Sequence, residues 1–151
     1  MMIIKKQKAF TLVELLVVIG ILGILAAVVL VAVNPARQMA QARDTQRRAD
    51  VNTIITAVSA YMADPVNNGA LPAGIATLCS VGADNIGTAV GGADLGAVVA
   101  PTYVADIPMD PVNGTAADTL YDICIADATA NRITVSAPGT ELATTTISAT
   151  R

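Results

Sequence analysis

Histidine and tryptophan are absent from the 151 residues, phenylalanine occurs once, tyrosine three times, and only 14% of positions are charged. Without histidine the chain lacks the side chain most used as a general base near neutral pH and as a metal ligand. Ser80 and the scattered aspartates offer no visible pairing of nucleophile and base, so no catalytic residue is assigned and no enzyme is expected. Phe10, Tyr61, Tyr103 and Tyr121 are too few and too spread for a stacked conducting path. Two cysteines without histidine do not make a zinc site, and no metal ligand set is assigned.

Basic residues are equally scarce where a nucleic-acid footprint would need them. Beyond Val51, nine acidic residues, from Asp64 to Glu141, stand against Arg132 and Arg151. Duplex-binding surfaces require clustered Lys and Arg, so nucleic acid is not indicated as a partner of this half.

What the sequence does have is one long hydrophobic run. The stretch KKQKAFTLVELLVVIGILGILAAVVLVAV covers Lys5 to Val33, and no charge occurs from Leu15 to Val33. About 20 apolar residues suffice to cross a bilayer as a helix. Lysines before the run and an acidic tail after it place the N-terminus in the cytoplasm and the remainder outside. A secretory signal peptide would have a shorter apolar region and a cleavage site on its far side; Val31-Ala32-Val33 fits that only loosely. Glu14 is the anomaly, because a carboxylate costs roughly 2.5 to 3.5 kcal/mol at the centre of an inserted helix and less near its end. Snorkelling to the headgroups is one reading of its position.

The basic leader, a small residue, then Phe-Thr-Leu-Val-Glu and an apolar run resemble the N-terminus of type IV prepilins and the related pseudopilins of type II secretion and DNA-uptake systems. The resemblance implies that a prepilin peptidase removes residues 1–9 by cutting between Ala9 and Phe10, and methylates the new amine of Phe10. Ala9 stands where the family usually has glycine, a departure that implies slower processing. Glu14 becomes the fifth residue of the mature chain, where it can meet the Phe10 ammonium of a neighbouring subunit. A misregistered subunit would leave both charges unpaired, at a cost of about 3 to 5 kcal/mol. The partners implied are the peptidase, an inner-membrane assembly platform, lipid before assembly, and further copies in a helical homopolymer. The precursor is then a single-pass protein of the cytoplasmic membrane. Its mature form lies in an extracellular pilus, or in a periplasmic or wall-spanning pseudopilus, and an extracytoplasmic binding module tethered by one helix is a further alternative.

Helical periodicity continues beyond the lipid-like run, since Val51, Ile54, Ile55, Val58, Tyr61 and Met62 form one stripe. The expected fold is α+β and pilin-like. A long N-terminal helix, from about Phe10 to Ala63, has a transmembrane first half (10–34) and an amphipathic second half (35–63). It packs on a small C-terminal antiparallel sheet within a head of residues 64–151. Asn34-Pro35 should kink or locally melt the helix, and the resemblance makes Gly23 to Pro35 the segment expected to lose helicity on assembly. Arg43 to Asp50, RDTQRRAD, reads as a solvated, salt-bridged face rather than a nucleic-acid patch.

Three strands are expected, TLYDICIAD (Thr119 to Asp127), RITVSA (Arg132 to Ala137) and ELATTTISAT (Glu141 to Thr150). IPMDPVNGT, Ile107 to Thr115, resembles the Pro-x-Asp-Pro loop that precedes the sheet in major pseudopilins and many pilins. Asp106, Asp110, Asn113 and Asp118 there could offer oxygens to calcium, but the spacing is not that of an EF-hand and a structural turn is the favoured reading. In an oxidising exterior Cys79 and Cys124 would pair, tying the long loop to the first strand.

Overall fold

A computed structural model describes residues 10–151. The expected leader, with Lys5, Lys6, Lys8 and Ala9, lies outside the described residues. The chain divides between Gln38 and Met39 into two compact units.

In the first unit, α1 (Leu12–Val33) is apolar all round, and none of its residues is buried. It runs without interruption through Gly20 and Gly23, so it is helical over the segment from Gly23 to Val33. It stops at Asn34, which adopts the left-handed conformation (φ 46°, ψ 79°). Asparagine tolerates that region better than most residues, and the following proline disfavours a right-handed helical Asn34. Pro35 then opens α2 (Pro35–Ala63) at the position where proline's missing N–H is harmless. Asn34 caps this second helix, its Oδ1 accepting from the Arg37 N–H at 3.3 Å. The interruption expected at Asn34-Pro35 is thus a one-residue break that divides the long helix into α1 and α2.

In the second unit, the remainder of α2 buries its stripe. Val51, Ile54, Ile55, Ala57 and Val58 are in the core, with Tyr61 and Met62 partly buried beside them. Their cover is a four-stranded antiparallel sheet in the order β1-β2-β3-β4, formed by β1 (Asp84–Asn85), β2 (Asp122–Asp127), β3 (Arg132–Ala137) and β4 (Ile147–Thr150). The strands alternate, so Ile123, Ile133, Val135, Ala137 and Ile147 face the core. Burying each of the isoleucines and the valine among them contributes about 1.5 to 3 kcal/mol.

The sheet differs from expectation at both edges. Asp84–Asn85 is an additional edge strand, too short to carry a sequence signal. Glu141 to Thr146 does not continue the last strand, because its first residues bond to α2 instead of to β3. β2 starts at Asp122 rather than Thr119, since Leu120 has a positive φ of 61° and turns the chain. The long connection is structured: Ile86, Leu95, Val99 and Ile107 join the core, and α3 (Gly96–Val99) gives it one helical turn.

Candidate functional site

Phe10 is 87% exposed immediately before α1. Thr11 is the N-cap, and Thr11 and Glu14 close a capping box. The Thr11 Oγ1 accepts from the Glu14 N–H at 3.2 Å, while Glu14 Oε2 accepts from the Thr11 N–H at 3.0 Å and from its hydroxyl at 2.9 Å. The S/T-x-x-E pattern was present in Thr-Leu-Val-Glu and explains locally why a carboxylate is tolerated here: it satisfies helix-start donors that have no intrahelical partner. Glu14 is the sole charged side chain of α1, whose 22 residues have a mean hydropathy of 3.2 over the most apolar window and extend about 33 Å. That is the length and composition of one membrane span.

A second constellation lies in the head and corrects the reading of RDTQRRAD as a solvated face. Arg47 and Asp44 are each only 2% exposed. Asp44 Oδ1 accepts from Arg47 Nη1 at 2.9 Å and from the Glu141 N–H at 3.0 Å, and Oδ2 accepts from the Leu142 and Ala143 N–H groups at 2.8 and 3.1 Å. Arg47 also donates through Nε to Asp110 Oδ2 at 2.6 Å and through Nη1 to Glu141 Oε1 at 3.0 Å. Arg43 Nε reaches the same Glu141 oxygen at 2.6 Å, nearer the surface. Two arginines thus pair with three carboxylates drawn from α2, the Asp-Pro loop and the β3–β4 connection. Asp50, also expected on the solvated face, instead accepts from the Tyr121 hydroxyl at 2.7 Å.

The electrostatics follow from this packing. Burial disfavours the charged form of Asp44, but three backbone N–H groups and Arg47 outweigh it and hold the pKa at about 2. Glu141 is held at about 2 chiefly by Arg43, with Arg47 adding to it. For Asp110 the cost of burial is likewise exceeded by Arg47 and the Val112 and Asn113 N–H groups, and its pKa is lowered. Asp50 shows the opposite balance: burial raises its pKa despite the bond from Tyr121.

Asp106, Asp110, Asn113 and Asp118 are not assembled into one site. Asp110 is committed to Arg47; Asp106 accepts from the adjacent Ile107 N–H; Asp118 accepts from the Leu120 N–H and the Asn85 amide. The Asn113 N–H caps Asp110 at 3.4 Å. Gly114 closes the loop, and any side chain there would lie 2.3 Å from the Asp110 nitrogen. The Asp-Pro segment is an ion-paired structural turn, and no group of metal-ligating side chains occurs among the described residues. Cys79 and Cys124 form a disulfide across a sequence separation of 45. It fastens the loop to β2, where Cys79 N–H also donates to the Ile125 carbonyl at 3.0 Å.

Comparison with known proteins adds one finding at the N-terminus. The family described as "Prokaryotic N-terminal methylation motif" matches residues 4–30. No curated protein and no solved structure matches the chain. The matched residues include Phe10, Thr11 and Glu14 and most of α1, and they mark the chain as carrying the N-terminal methylation motif, consistent with a protein of the type IV pilin and pseudopilin kind.

Proposed function

We propose that the chain is the structural subunit of a type IV pilus, cut between Ala9 and Phe10 and polymerised through α1. The observation that carries this reading is a 22-residue apolar helix with no buried residue and one carboxylate in its first turn, next to an exposed Phe10. Such a helix needs lipid before assembly and the helices of other copies after it. A filament core supplies the second environment with the same apolar surface.

Glu14 acts in register. Its Oε2 serves the helix cap, while Oε1 makes no bond among the described residues and is free to accept from the Phe10 ammonium of a neighbouring copy. The pair is a recruitment and alignment device more than a source of net stability. The head, outside the membrane by the charge pattern, forms the filament surface. The long disulfide-pinned connection before β2 favours a surface pilus, since a decorated exterior is where a long ordered loop has a use. A peptidase and an assembly platform act on the precursor from the cytoplasmic membrane.

The test is to shear appendages from cells and measure the intact mass of the polypeptide in sheared and membrane fractions. A chain beginning at methylated Phe10 in the sheared fibres supports the pilus. The same processed chain held in the membrane fraction would indicate a pseudopilus. An uncut chain would undo the account of Glu14 and leave a tethered module.

A further inference from the structure

Beside the end of β1, the Met39–Arg151 unit carries a pocket that the Arg47 network does not reach. Its volume is 110 Å³, and Leu95, Ile107 and Met109 stand in its walls. Leu95 and Ile107 belong to the core, so much of the wall is aliphatic. Asp94 and Asp106 line the same space. One oxygen of each carboxylate accepts from a local backbone N–H, Ala97 at 3.2 Å and Ile107 at 2.8 Å respectively. The other oxygen of each has no hydrogen-bond donor and no cation beside it among the described residues. The sequence gives a reason: no Lys or Arg occurs from Ala49 to Asn131, a segment that holds nine aspartates. A cation for this pair has to come from outside that segment.

Gly96 keeps the space open. It is the first residue of α3, glycine is a poor helix former, and its φ is not positive, so the backbone does not demand glycine there. A Cβ at this position would lie 3.4 Å from Asp94 Oδ1 and 3.9 Å from Ile107 Cγ1. Any longer side chain would therefore enter the gap between a carboxylate and the aliphatic wall.

We infer that the pocket binds a primary alkylammonium group, its chain against Leu95 and Ile107 and its nitrogen on Asp94 and Asp106. The inference concerns this unit by itself and does not depend on the pilus reading. Size limits the chain: a dry cavity of about 150 Å³ admits benzene, so 110 Å³ has room for about four carbons. An ammonium has three N–H donors to offer the open carboxylate oxygens. A quaternary ammonium has none, and is held by aromatic faces that the lining lacks. Calcium and magnesium take about six or more oxygens, whereas the walls here are largely hydrocarbon and no group of metal-ligating side chains occurs among the described residues. The acidic head as a whole favours the approach of a cation. A lysine side chain of a partner polypeptide and a free aliphatic amine both carry this chemistry.

The test is calorimetric titration of the full-length chain in non-ionic detergent with n-butylammonium chloride, using n-butanol and tetramethylammonium chloride as controls. Saturable binding of butylammonium, and of neither control, is expected. Asp94→Asn with Asp106→Asn keeps an oxygen for each local N–H while removing the charge, and should weaken binding about tenfold. Gly96→Leu fills the gap, leaves both carboxylates in place, and should abolish binding. No saturable binding, equal binding of a control, or affinity unchanged in either variant overturns the inference. If Gly96→Leu fails to fold, the paired asparagine variant decides alone. A tripeptide Gly-Lys-Gly with blocked ends separates the sources: affinity matching butylammonium assigns the pocket to a lysine side chain, and weaker affinity assigns it to a free amine.

Discussion

The Arg47 guanidinium on α2 grips the Asp110 carboxylate of the Asp-Pro loop through two hydrogen bonds, Nε to Oδ2 at 2.6 Å and Nη2 to Oδ1 at 3.3 Å. Asp110 in turn organises its own loop, its Oδ1 accepting from the Val112 N–H at 2.9 Å. One buried cation therefore links the helix, the loop before the sheet and the connection between the last two strands. Planarity and a fork of donors are what allow a single side chain to serve three carboxylates.

Arg47→Ala should destabilise the head by about 3 to 5 kcal/mol, because it leaves Asp44 and Asp110 buried without their cation. Arg47→Lys should recover only part of this, since an ammonium cannot make the paired bonds to Asp110. Chemical denaturation of the two variants checks both statements, and an Arg47→Ala protein as stable as the parent would show that the network contributes nothing net.

The network also dictates where the head can be cut. A fragment beginning at Met39 keeps Arg43, Asp44 and Arg47, whereas one beginning at Val51 removes all three and strands Asp110 and Glu141. The longer fragment should melt cooperatively at the higher temperature. Equal melting temperatures in calorimetry would contradict this.

Acid should weaken the head in a defined window. Asp44 is held at about 2 against an ordinary 3.8, and Glu141 at about 2 against 4.5. Folded pKa values below the unfolded ones mean that their contribution is complete above the unfolded values and is lost as protons bind on descent. Melting temperature should thus hold from neutral pH to about 5 and decline between about 4.5 and 2. Asp44→Asn should flatten that decline, and a variant with the parent's profile would remove Asp44 from the account.

Reduction of the Cys79–Cys124 disulfide should cost about 3 to 4 kcal/mol, the chain-entropy scale for a loop of this length. Thermal melting of the Met39 fragment with and without reductant measures it. Cys79 is exposed and Cys124 is mostly buried, so Cys79→Ser should cost less than Cys124→Ser, which adds a hydroxyl to the sheet interior.

Glu14→Ala should leave a chain that inserts and is cleaved but enters filaments poorly. Glu14→Gln, which keeps an oxygen for the cap, should share the assembly defect while retaining more of the helix start. Full filament yield from Glu14→Gln would reduce the role of Glu14 to capping.

The membrane-length helix, the buried stripe on α2 and the core of the sheet were legible in the sequence because each depends on short-range periodicity. An apolar run from Leu15 to Val33 interrupted only by Gly20 and Gly23, hydrophobic residues at helical spacing from Val51 to Met62, and at alternate positions in β2 and β3 leave little choice of element or of buried face. The break at Asn34 was equally local, since proline constrains its neighbour directly. What only the tertiary structure decided was the fate of charged and loop residues. Asp44 and Arg47 at i and i+3 look the same in sequence whether they face water or the interior. Asp110, 63 residues from Arg47, and Glu141, 94 residues from it, close over them only when the chain folds. The same distance dependence committed Asp110 to Arg47 and Asp118 to the Asn85 amide, and recruited Asp84–Asn85 as an edge strand. Periodicity encodes which face is apolar, and a cap such as Thr11–Glu14 is written in a four-residue pattern; the partners of Asp44, Arg47 and Asp110 are set by segments far away in the chain, and no local pattern contains them.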